Sequence, residues 1–132
     1  MDRINPDSLA RPSGFSHAVS VTGARLVFLA GQTALDPEGA IVGGGIVAQF
    51  ERAMSNLLTA LHAAGGRPEH LAQLTIYLVD IDDYRAHAKE IGGVWRELIG
   101  AHYPAAAGIG VHRLWDPEAL VEVQAVAAVP ET

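Results

Sequence analysis

A chain of 132 residues, 49% of them hydrophobic, fits one domain with a substantial core. The absence of cysteine removes disulfides, thiolate nucleophiles and sulfur-ligated metals together. Nine basic against fifteen acidic residues leave a net charge of −6 with no Lys/Arg cluster, which argues against nucleic-acid binding.

No apolar run approaches the roughly 18 residues of a membrane-spanning helix. The N-terminus lacks the basic-then-apolar layout of a signal peptide, so the expectation is a cytoplasmic protein with no membrane partner. Residues 1–14, with Pro6, Pro12 and Gly14, read as an irregular lead-in to a single domain spanning 1–132. Residues 17–21 and 25–31 are apolar runs separated by Thr22, Gly23 and Ala24, the pattern of a β-hairpin. "DPEG" at 36–39 is a turn, and "GGG" at 43–45 reads as a flexible connector. Apolar residues then recur at Ile46, Val47, Phe50, Met54, Leu57, Leu58 and Leu61, helical spacing that stops at Gly65-Gly66.

Residues 71–79 form a β-branched and aromatic run of strand length. A second helix follows over 80–100, capped by aspartates, with Tyr84, Ala88, Ile91, Trp95, Leu98 and Ile99 on one face and Gly100 as its stop. Inside it, Gly92 and Gly93 should cost about 1 kcal/mol each relative to Ala, so either something packs closely there or the helix bends. The stretch "YPAAAGIGVHRLW" (103–115) sits where a strand is needed but is built from poor strand formers. A turn at "WDPEA" leads to the last strand, 120–129, where Val121, Val123 and Ala125 alternate with Glu122, Gln124 and Val126. The order β-β-α-β-α-β-β predicts an α+β fold with two helices on one face of a mixed sheet. The other face is left bare, and the economical cover is a second copy of the chain.

Glu122 is the carboxylate to single out, because it interrupts an apolar strand. Burial would raise its pKa and suit it to acid or base work. The competing reading has it facing solvent or paired with an arginine such as Arg113. The six histidines show no paired-ligand spacing, so no metal is expected. His17 and His112 fall on predicted strands, where each either lines a cleft or serves as a hydrogen-bonded structural group. Trp95 is read as core and Trp115 as loop packing.

The segments "FLAGQTALDPEG", "QFERAMSNLLTALHAAGG", "LTIYLVDIDDY", "HYPA" and "LVEVQAVA", in this order, resemble the RidA/YjgF (Rid, endoribonuclease L-PSP) family over residues 14–129. The resemblance implies a chorismate-mutase-like fold and a homotrimer whose sheets form a central barrel, with small-molecule clefts between subunits. It also implies hydrolysis of enamines and imines to 2-oxo acids and ammonia, without metal or organic cofactor.

In active members, an arginine after the Tyr/Phe-Pro pair holds the substrate carboxylate bidentately. That position is Ala106 here, and the next two on the same strand face are Gly108 and Gly110. Phe15 stands at the family's pocket tyrosine and Ala30 at its serine, while Gly31, Gln32, Asn56, Arg113 and Glu122 match. Glu122 corresponds to the carboxylate that positions the hydrolytic water. The expected cleft comprises Phe15, His17, Ala30, Gly31, Ala106, Gly108, Gly110 and His112.

These residues point to a divergent imine hydrolase acting on a bulkier or non-carboxylate substrate. The alternative is a non-catalytic ligand-binding or regulatory trimer. RNA cleavage or translation inhibition is the weakest reading.

Overall fold

The computed structural model describes residues 1–131. In chain order the elements are β1 (Asp2–Ile4), β2 (Ala18–Ser20), β3 (Ala24–Gln32), α1 (Gly45–Ala63), β4 (Leu71–Leu78), α2 (Ile81–Ala86), α3 (Ala88–Leu98), β5 (Ala105–Gly110) and β6 (Val121–Pro130). The main sheet runs β3-β6-β4-β5. β6 is antiparallel to both its neighbours, and β4 is parallel to β5. Helices packed on one face of this mixed sheet make the expected α+β architecture.

The apolar periodicity of α1 becomes its buried stripe: Phe50, Met54, Leu57 and Leu61 are fully buried. Each contributes about 1.5–3 kcal/mol by leaving water. They meet Val121, Val123, Ala125 and Ala127, the inward residues of β6. Gly44 and Gly45 lie at φ of 102° and 85°, a region that excludes most side chains. The glycine run is therefore a shaped entry into α1, with Gly44 as its N-cap, where a flexible connector was expected.

The hairpin expectation is corrected. β2 pairs with β1, so the lead-in is partly a strand, while β3 pairs along β6. Arg3 on β1 donates from Nε to His102 Nδ1 at 3.0 Å, and His102 Nε2 bonds the Leu71 carbonyl at 2.7 Å. A side chain buried 99 positions away thus anchors the N-terminus.

The second predicted helix is two. The break falls at His87, whose φ and ψ of −110° and 20° are not helical and whose Nδ1 bonds the Asp83 carbonyl. The Gly92-Gly93 pair, expected to be the weak point, lies within α3. Trp95 is core, but Trp115 is 90% exposed and packs on nothing, against the expectation of loop packing.

The second sheet face is bare, as its element count predicts. Leu26 is 52% and Phe28 77% exposed on β3.

Candidate functional site

The β3–β6 ladder runs in register from Ala24↔Pro130 to Leu29↔Ala125, then resumes at Gln32↔Val123. One extra residue on β3 makes a bulge at Ala30 and Gly31. Bulges leave a residue outside the ladder and re-aim neighbouring groups, and they recur beside active sites. The Glu122 carboxylate lies against this bulge. A Cβ built on Gly31 would stand 2.9 Å from the Glu122 carboxyl carbon and closer still to Oε2. Only glycine leaves that space, and Glu122 is half-buried there.

Glu122 pairs with Tyr77, and Gln124 with Thr75, on the face away from the helices. Tyr77 donates its hydroxyl to Gln124 Oε1 at 3.4 Å. Pairing of Glu122 with Arg113 is not formed: Arg113 donates instead to the carbonyls of Leu114 and Trp115, at 3.2 and 3.3 Å. Asn56 is structural, since its Nδ2 donates to the carbonyls of Thr33 and Leu35 and fixes the turn after β3.

Phe15 and His17 meet edge to face, with ring centroids 5.2 Å apart. They line a groove of about 300 Å³ with Gln73, Leu74, Thr75, Ala105, Ala106 and Ala107, which brings Phe15, His17 and Ala106 of the expected cleft together. His17 is not on a strand: it precedes β2. Its backbone N–H donates to Asn5 Oδ1 and its Nε2 bonds the Ala10 carbonyl, both at 2.7 Å. His112 likewise lies beyond the end of β5 and is exposed.

The register also separates residues that the linear pattern groups in one cleft. Ala106, Gly108 and Gly110 pair with Leu74, Ile76 and Leu78, so they face the helices. Within one chain they lie on the opposite side of the sheet from Glu122. Ala106 floors a cavity of about 350 Å³ walled by Tyr84, Trp95 and Tyr103, with Arg96 lining it. The volume at the arginine position is therefore open, and a cation from α3 stands over it. Sequence reasoning missed Arg96. The available signal was its place one helical turn after Gly92, which leaves the guanidinium room. Among the described residues, no group of three or more His, Asp or Glu is gathered to hold a metal ion.

The chain matches the Endoribonuclease L-PSP family over residues 6–129. It is 38% identical to the protein DfrA of Myxococcus xanthus over 94% of this chain and 92% of that one. It is 32% identical to a 2-iminobutanoate/2-iminopropanoate deaminase of Capra hircus, over 86% and 78% respectively. A Rid-family protein of unknown function from Yersinia pestis superposes with a TM-score of 0.85 at 34% identity, covering 97% of this chain and 98% of that one. Sequence and architecture agree over nearly the whole length, and the chain belongs to the endoribonuclease L-PSP family, the group also called Rid or YjgF.

Proposed function

We propose that the protein hydrolyses imines or enamines of small metabolites, with Glu122 orienting and activating the water. The observation that carries this reading is the Glu122 carboxylate held at the Gly31 bulge, on the open face of the sheet. Water adds to the C=N carbon while Glu122 takes its proton. Nitrogen receives that proton, which completes the carbinolamine; its hydroxyl proton then passes through Glu122 to nitrogen, the C–N bond breaks, and ammonia leaves as the carbonyl forms. The step balances with water alone. The iminobutanoate/iminopropanoate deaminases among the relatives support the reaction class.

The substrate we infer is bulkier than those short imino acids, because Ala106, Gly108 and Gly110 leave β5 without a polar side chain at these positions. The working unit in this reading is a homotrimer. Burying Leu26 and Phe28 against another copy would remove the apolar area they expose, and a cleft between copies would set one copy's Glu122 face beside another's β5 edge.

A second reading, a trimer that binds a metabolite without chemistry, is favoured by the same pared-back strand. RNA cleavage has little support from a net charge of −6.

The experiment follows ammonia release from imines generated in situ from alanine, leucine and phenylalanine. Acceleration greater for the two bulky imines is expected. Release at the spontaneous rate for all three would favour the binding-only reading.

A further inference from the structure

Residues 1–12 are attached to the fold by hydrogen bonds more than by burial. Their large apolar side chains stay in water, with Met1 and Ile4 each 45% exposed and Leu9 51%. β1 pairs with β2 only from Asp2↔Ser20 to Ile4↔Ala18. A two-stranded pair of that length is marginal in water by itself, so the position of this segment depends on its contacts with the rest of the chain.

At β1, Arg3 donates to Nδ1 of His102, a buried ring whose Nε2–H is spent on the Leu71 carbonyl at 2.7 Å. Further along, Asn5 Oδ1 accepts from the His17 backbone N–H and the Ala10 carbonyl accepts from His17 Nε2, both at 2.7 Å. A carbonyl only accepts, so Nε2 carries the ring hydrogen and His17 Nδ1 is left as an acceptor. That ring stands edge to face on Phe15 and lines the groove. Ser16, between the two, is held without residues 1–12: its N–H donates to the Pro104 carbonyl at 3.0 Å and its hydroxyl to the Tyr103 carbonyl at 2.7 Å.

We propose that residues 1–12 are an acid-released strap, clasped by Arg3 on His102, that sets the orientation of the His17 ring in the groove. Protonating His102 at Nδ1 takes away the lone pair that accepts from Arg3 and sets two cations against each other. The charged and titratable groups facing His102 are Arg3 on β1, and Glu69 and His70 in the turn before β4. From α3, Trp95 Nε1 donates to the His102 carbonyl at 3.1 Å, and Glu69 is itself engaged by Arg67 at 3.6 Å. Burial, ahead of the opposing pull of the Leu71 carbonyl and the added push of Arg3, lowers the His102 pKa. The clasp is therefore closed at neutral pH and opens as pH falls through the folded-state value. The coupling rests on contacts within one chain and does not depend on the hydrolase reading.

The test reads backbone amide exchange at His17 and Ser16 in the full chain, relative to the unstructured rate, from about pH 7.5 to about pH 4.5. In the wild type, protection at His17 should fall about tenfold across this range while protection at Ser16 persists. Arg3→Met, at an exposed position and with no donor left, should show the low His17 protection already at neutral pH. His102→Gln keeps an acceptor for Arg3 and a donor for Leu71 without a titrating ring, so His17 protection should stay flat with pH. His17 still titrates in that variant, which separates its own protonation from that of His102. A wild type whose His17 protection ignores pH, unchanged protection in Arg3→Met, the full acid loss in His102→Gln, or loss at Ser16 in step with His17 would overturn the proposal.

Discussion

The Glu122 carboxylate rests against the backbone of Gly31, in space that a side chain at position 31 would occupy. Gly31→Ala therefore displaces the carboxylate, and crowding at the bulge costs about 1–3 kcal/mol. The expected result is hydrolysis lost to the same degree as on removing Glu122, with a small drop in the urea midpoint. Full activity in a folded Gly31→Ala protein would show that the placement of Glu122 does not matter.

The glycines of α3 behave differently. A Cβ at Gly93 meets nothing within 4 Å, and its φ is not positive. Gly93→Ala should stabilise the protein by about 0.5–1 kcal/mol, through helix propensity and a less entropic unfolded chain. A raised thermal midpoint at unchanged activity checks this, and a lowered one would mean that the glycine serves a contact in an assembly.

His102 should make stability fall in acid. Burial lowers its pKa below the ordinary 6.5, the Leu71 carbonyl pulls it partly back up, and Arg3 lowers it further. The unfolded chain binds the proton near 6.5 and the folded one only at lower pH. Stability is thus complete above about 6.5 and declines as pH falls toward the folded-state value. Protonated Nδ1 can no longer accept from Arg3, so β1 is released first. Thermal melts from neutral pH to about pH 5 should show this acid limb in the wild type and a shallower one in His102→Gln. Equal slopes would refute it.

Phe28, 77% exposed on the bare face, is the side chain an assembled trimer would most need. Phe28→Asp should sediment as a monomer with unchanged circular dichroism while the wild type sediments as a trimer. A wild-type monomer would contradict the trimeric working unit.

Much of this architecture is legible in the residues themselves. The stripe from Ile46 to Leu61 and the alternation from Val121 to Ala125 carry their own period, and both elements form where that period predicts. Partner choice is not local. Thr22-Gly23-Ala24 has the composition of a hairpin turn, yet β2 pairs with β1 and β3 with β6, because pairing depends on segments far apart in sequence. The break at His87 is hidden by apolar spacing that runs through it. Glu122 and Gly31 were both visible as candidates, but their contact requires the bulge. Ala106 was visible as a missing arginine, whereas its face became known only from its register with Leu74. Arg96 carried no signal in the apolar pattern, and only the cavity beside Gly92 singles it out.

The most direct measurement compares wild type with Glu122→Gln for ammonia release from the imine of leucine generated in situ, with sedimentation as a control for assembly. Replacing the carboxylate with an isosteric amide removes the base and keeps the volume. The account predicts that Glu122→Gln keeps the wild-type assembly and falls to the spontaneous rate. An intact Glu122→Gln assembly that releases ammonia as fast as wild type would contradict it.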